Sequence, residues 1–139
     1  MLSQTTEYAV RAILHIATRG DGATVRANEL AAQIGVPQNY LSKTLHQLAR
    51  AGLLTSARGP TGGFQLAVPA ESLTLQRIVS TFEALTPRRC LLGHGICGET
   101  PSCTVHARWA PVATSVQTFF TTTTIADLIR TPVPNEVTL

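Results

Sequence analysis

The chain has 139 residues, enough for one domain with a modest core. Its 44% apolar and 14% charged residues make it globular rather than disordered, and no apolar run reaches the ~18 residues of a membrane span. The net charge of +3 lies within residues 1–66, with six basic and three acidic residues, and no acid occurs between Glu29 and Glu71; such a basic stretch suits a polyanionic partner.

The opening residues, Met1 to Glu7, lack the basic start and apolar core of a secretory signal. A cytoplasmic protein with no membrane partner is therefore expected. From Thr5 to Arg19, Ala9, Val10, Ile13, Leu14 and Ala17 recur at helical spacing, and Gly20 and Gly22 end the segment. Ala27 to Gln33 forms a short second helix, with Leu30, Ala31 and Ile34 apolar and Gly35 as its stop. Pro37 fits the first turn of a third helix, where its missing N–H does no harm. That helix runs to about Ala51 with Leu41, Leu45 and Leu48 inward. Two helices joined through a short glycine-containing turn make a helix-turn-helix.

Leu53–Ser56 and Phe64–Ala67 read as strands around a turn, Ala57 to Gly63, dense in glycine and proline. A hairpin in this place, with Arg58 at its tip, makes the unit a winged helix-turn-helix. The fold class is mainly α with a small β-hairpin, and the DNA-binding head is expected over residues 1–86. Thr74 caps a further helix that buries Leu75, Ile78, Val79, Phe82 and Leu85 and stops at Pro87. A cysteine loop follows over residues 87–104, and residues 105–130 hold a long dimerisation helix and a short terminal one.

The long helix spans Val105 to Thr122, and Pro111 should kink or delay it. Val105, Trp109, Val112, Val116 and Phe119 fall at steps of 4, 3, 4 and 3. This heptad-like seam suits a homodimer; the plainer reading is a helix packed on its own domain. Thr124 and Asp127 fit a capping box opening the last helix. Residues 131–139, with Pro132 and Pro134, are expected to form a frayed tail.

Gln38, Asn39, Tyr40, Ser42 and Lys43 begin the third helix, opposite the buried leucines, where a recognition helix meets double-stranded DNA. Gln38 and Asn39 suit adenine, Tyr40 and Ser42 a phosphate or base edge, and Lys43 a phosphate or guanine. Arg58 at the wing tip, beside Gly59, is placed to reach the backbone or minor groove. No nucleophile–base pairing and no phosphate-binding loop is evident, so neither catalytic residues nor a small-molecule substrate are expected.

Cys90, Cys97, Cys103 and His106 are spaced C-x6-C-x5-C-x2-H. An odd cysteine count in a cytosolic chain argues against a structural disulfide framework. Structural zinc sites usually hold a close C-x2–4-C pair, which is missing here. Wider spacing in a glycine-rich loop suits an iron–sulfur cluster, whose thiolates reach different irons. Zinc, a metal-free thiol–disulfide switch and unligated cysteines are the other readings. Three cysteines leave a fourth ligand to be found. His106 follows Cys103 by three and would share its helix face, Glu7 would reach from the first helix of a partner subunit, and His94 is a third choice.

Tyr8-Ala9-Val10-Arg11 in the first helix is one part of a larger pattern. It combines with Pro37-Gln38-Asn39-Tyr40-Leu41-Ser42-Lys43, Leu45, Leu48 and Ala51-Gly52, then Arg58-Gly59-Pro60-Thr61-Gly62-Gly63-Phe64 and the three cysteines. Together these resemble the Rrf2 family of bacterial regulators, which includes the IscR and NsrR types. The resemblance runs over about residues 1 to 130. It implies a homodimeric winged-helix regulator, expected to be a repressor, in which the long helix dimerises and the cysteines hold a 2Fe–2S or 4Fe–4S cluster. Such a cluster would sense nitric oxide, redox state or iron–sulfur status. In the IscR type a histidine after the third cysteine completes a 2Fe–2S site, and His106 matches it. In the NsrR type an acidic residue in the other subunit's first helix completes a 4Fe–4S site, and Glu7 matches that. The gap between Cys90 and Cys97 is longer than the family's commoner spacing.

Overall fold

The computed structural model describes residues 2–84, 89–97 and 103–131. The elements run α1 (Gln4–Thr18), α2 (Ala27–Ile34), α3 (Gln38–Arg50), β1 (Leu54–Ala57), β2 (Gly63–Leu66), a 3-10 turn (Ala70–Ser72), α4 (Leu75–Val79), α5 (His106–Thr122) and α6 (Ile125–Arg130). The Ser3 side chain accepts the Thr6 N–H and so caps α1. Between α2 and α3, Gly35 adopts a left-handed conformation at φ 71°, which lets the chain leave one helix and enter the next within a few residues. Pro37 stands at the N-cap of α3, one place outside the helix.

The helices turn one aliphatic face each into a shared core. Ile13 and Ile16 of α1, Leu30 of α2, and Leu41, Leu45 and Leu48 of α3 are fully buried, joined by Leu53, Leu54 and Leu73. β1 and β2 pair antiparallel, with Leu54 opposite Leu66 and Ala57 opposite Gly63. Val25 adds a bridge to β2, exchanging hydrogen bonds with Phe64 at 2.9 and 2.8 Å. Gly63 has φ 146°, and a Cβ there would stand 2.7 Å from the Val25 carbonyl oxygen, so the wing needs glycine at this crossing.

α4 is shorter than its apolar pattern predicts. It stops at Ser80, Phe82 is half-buried, and Glu83 turns back onto the start of α1, where it accepts the Ser3 N–H at 3.1 Å. Leu85, Pro87, the boundary between residues 86 and 87, part of the cysteine loop (98–102) and the tail from 132 lie outside the described residues. α5 neither starts after Pro111 nor breaks at it. Only the bond from residue 111 to the Ala107 carbonyl is forgone, and the rest of the helix outweighs it.

α6 returns to the head. Ile125 and Ala126 join the core that holds Ile13 and Leu73. The Leu75 N–H donates to the Thr123 carbonyl at 3.0 Å, and the Ile125 N–H to that of Leu73 at 2.8 Å. The capping box at Thr124 and Asp127 is present in both directions. The terminal helix thus belongs with the head rather than with α5 alone. Among the described residues no helix is long and apolar enough to cross a membrane.

Candidate functional site

Burial of Leu41, Thr44, Leu45 and Leu48 fixes which face of α3 is offered to a partner. Gln38, Asn39, Tyr40 and Lys43 are exposed and Ser42 is half-buried. Arg58 and Gly59 are exposed at the wing tip. Gln38 shares a cleft of ≈ 370 Å³ with Arg26, Ala27 and Asn28 at the start of α2 and with Gly59 and Gly62 of the wing. Neither α2 nor α3 has a side-chain cap, so both helix starts on this cleft keep first-turn N–H groups for a partner.

Two features of this face were not apparent from spacing. Arg26 donates from its guanidinium to the carbonyls of Pro60 and Gly59, and Thr24 donates to that of Thr61 at 3.2 Å. These bonds brace the wing turn from the side. The one available signal was a basic residue just ahead of the second helix. Tyr40 also has a partner inside the chain: its hydroxyl shares a 2.5 Å hydrogen bond with that of Thr5, and its ring meets Tyr8 edge-on at 5.7 Å.

The first part of the cysteine loop is a small hairpin. Arg89 bridges Ile96, and the Cys90 N–H donates to the Gly95 carbonyl at 2.8 Å. Backbone N–H groups of His94 and Leu92 hold the Cys90 thiol below its ordinary range, helped by Cys103 and Gly93 and opposed by burial. Cys90 and Cys97 are buried and Cys103 half-buried. Their donors fall into two pairs: Cys90 Sγ lies 3.7 Å from Cys103 Sγ, and Cys97 Sγ lies 3.0 Å from His106 Nδ1.

Spacing alone associates His106 with Cys103. The fold pairs it with Cys97, because α5 starts at His106 and leaves Cys103 ahead of the helix. His94 is exposed, and Glu7 is exposed in the first turn of α1. Two thiolates on one tetrahedral metal, with bonds of about 2.3 Å, stand about 3.8 Å apart. Cys90 and Cys103 already have that separation. A thiolate and an imidazole on one metal stand about 3.6 Å apart, so Cys97 and His106 would open by about half an ångström. Among the described residues, no three His, Cys, Asp or Glu side chains are grouped around one point for a single metal ion.

Along α5, Ala113 and Phe120 are buried, and the helix packs chiefly against α4. Val112, Val116 and Phe119 lie on another face and are 49%, 36% and 50% exposed. Val105 and Trp109 are half-buried, and the Trp109 indole N–H donates to the Arg89 carbonyl at 2.8 Å, tying the loop to the helix.

Known proteins match this arrangement along nearly its whole length. The Rrf2 family model, described as an iron-dependent transcriptional regulator, matches residues 2–131. A protein of Aquifex aeolicus named as an HTH-type transcriptional regulator is 35% identical over 133 residues, covering 94% of this chain and 92% of its own. One from Haemophilus influenzae with the same name is 30% identical over 130 residues, covering 93% and 86%. Among solved structures, CymR, the global cysteine regulator of B. subtilis, superposes with TM-score 0.79 at 22% identity over 93% of this chain and 95% of its own. T. potens IscR gives 0.72 at 22% identity over 94% and 86%. The structural likeness carries the winged-helix fold, the sequence likeness carries the family, and the chain belongs to the Rrf2 family of transcription regulators.

Proposed function

We propose that this chain is a homodimeric repressor whose hold on operator DNA is governed by an iron–sulfur cluster at Cys90, Cys97, Cys103 and His106. The observation that carries this reading is the division of the four donors into two pairs. A 2Fe–2S cluster takes two protein ligands on each iron, and two pairs with His106 as the fourth ligand meet that demand. A single zinc would need all four donors around one point. When bound, the cluster supplies iron–sulfur bonds sensitive to nitric oxide, oxidants and iron shortage.

The chain's residues do the rest. Trp109 holds the loop on α5 through Arg89. Gln38, Asn39, Tyr40, Ser42 and Lys43 meet the major groove, while Arg58 and Gly59 on the braced wing meet the backbone or minor groove. Val112, Val116 and Phe119, with Val105 and Trp109 at the loop end, face a second copy. Two heads then read half-sites about 34–36 Å apart. Loosening of the loop disturbs that spacing, and a change of about 1.4 kcal/mol lowers affinity tenfold.

Anaerobic purification, a visible spectrum, and iron and sulfide analysis test the reading. A brown protein with two irons and two sulfides per subunit is expected, and His106→Ala should lose it. Four irons per subunit would move the fourth ligand to Glu7 of the other copy. A colourless protein that cannot be reconstituted, or equal operator binding with and without iron at all salt concentrations, would overturn it.

A second reading has its own observation, the 3.7 Å separation of Cys90 and Cys103. In iron-free protein, a peroxide could take two electrons from this pair. The S–S bond forms as the O–O bond breaks, and the two thiol protons leave with the oxygens. Peptide mapping after peroxide treatment should then join Cys90 to Cys103 and leave Cys97 reduced.

A further inference from the structure

The start of α1 lies between Glu83, which follows α4, and Tyr40 of the recognition helix. On one side Glu83 accepts the Ser3 N–H at 3.1 Å and the Thr6 hydroxyl at 2.5 Å. Thr6 is fully buried and shares a 2.8 Å hydrogen bond with the Ser3 hydroxyl, so the carboxylate completes the cap of the helix it grips. A negative charge at a helix N-terminus is favoured by the dipole and the unpaired amides. On the other side of the same helix end, Thr5 and Tyr8 hold Tyr40 by its hydroxyl and by its ring. Tyr40 stands in the first turn of α3, between Asn39 and the buried Leu41.

These contacts form one mechanical sequence. Ser3, Thr5, Thr6 and Tyr8 belong to the cap and first two turns of a single helix. A displacement of the end that Glu83 grips would carry with it the side chains that hold Tyr40. Glu83 stands seven positions before Cys90 in the sequence.

We propose that Glu83 is a positioning residue for DNA reading: by clamping the start of α1 it sets, through Thr5 and Tyr8, the place of Tyr40 and of the recognition helix's first turn. The proposal rests on the reading that α3 meets DNA. It supplies that reading with a route by which movement at Glu83 reaches the reading residues.

Glu83 and Tyr40 share no partner among the described hydrogen bonds and ring contacts. Acting separately, they would have additive effects. The probe is a duplex selected by the wild-type protein from a random-sequence library, with a scrambled duplex as control. Binding is measured for Glu83→Gln, Tyr40→Phe and the double variant, with thermal melting followed in parallel. Removing an acid from a DNA-binding protein ordinarily tightens its hold on phosphates. The clamp predicts the opposite sign: Glu83→Gln weakens binding to the selected duplex by ~5-fold or more and leaves the scrambled duplex unchanged.

The double variant should be no weaker than the weaker single variant. Thr6→Val breaks the clamp from the helix side and should couple to Tyr40→Phe in the same way. Thr5→Val should reproduce Tyr40→Phe. Effects that multiply in the double variant, or a Glu83→Gln protein that binds the selected duplex equally or more tightly, overturn the proposal. A wild-type chain that enriches no duplex overturns the DNA reading, and the proposal with it; enrichment with multiplying effects overturns the clamp alone.

Discussion

In the head, each helix turns aliphatic side chains into one buried cluster, from Ala9 of α1 to Ile125 of α6. In the cysteine loop, Leu91 and Leu92 are 57% and 51% exposed, and the shape comes from a glycine-bearing hairpin and two pairs of Cys and His donors. The head is held by apolar area removed from water, worth about 25 cal/mol per Å². The described part of the loop leaves its two leucines in solvent and buries Cys90 and Cys97. One region thus owes its shape to a shared apolar core, the other to local backbone hydrogen bonds and contacts between polar side chains.

Breaking the core should have the largest effect. Leu45→Ala should cost about 2–5 kcal/mol in urea denaturation, because a fully buried side chain leaves a cavity behind. Gly63→Ala comes next. Its left-handed backbone and the Val25 carbonyl 2.7 Å from the new Cβ predict a loss of about 1–3 kcal/mol by the same measurement. A smaller loss would mean that the wing gives way easily, and the contrast between a rigid head and a compliant loop would weaken.

Acid should act on the head through two helix caps. Glu83 is held below the usual carboxylate range by the Thr6 hydroxyl and the Ser3 N–H, and Asp127 by the N–H and hydroxyl of Thr124. A depressed folded pKa means that their stabilisation is complete above the unfolded value and is lost as pH falls through the folded one. The combined variant Glu83→Gln, Asp127→Asn should therefore lose less stability than wild type on acidification. Parallel curves for the two proteins would count against these caps. Leu91→Ser should have the smallest effect, within about 0.5 kcal/mol, because its side chain already meets solvent.

Regular spacing made α1, α2 and α3 legible, because their buried faces repeat without interruption, as at Leu41, Leu45 and Leu48. Turn chemistry revealed the wing, and the Thr124–Asp127 box revealed the start of α6. The length of α4 was hidden. Phe82 continues its apolar pattern, but the next residue, Glu83, is claimed by Ser3, 80 positions away, and no local window contains that partner. Cys90, Cys97, Cys103 and His106 could be named as candidate donors from spacing, but the closeness of His106 to Cys97 could not, since it depends on where α5 begins. The bracing by Arg26 and the hold of Thr5 on Tyr40 likewise arise only once separate elements pack together.

The uneven fastening of α5 has a mechanical consequence. At its C-terminal end Phe120 is buried and the following residues are stitched to Leu73 and Leu75. Toward the other end Ala113 is the first buried side chain of the helix. Seventeen residues at about 1.5 Å each make about 25 Å of helix, pivoted at the head and carrying His106 at its far tip. α5 is a lever arm. Its amides should exchange with solvent deuterium in a gradient, slowest over residues 119–122 and fastest over 106–110. Any rotation of such a helix about its fastened end would, by its length alone, move His106 several times farther than Phe120.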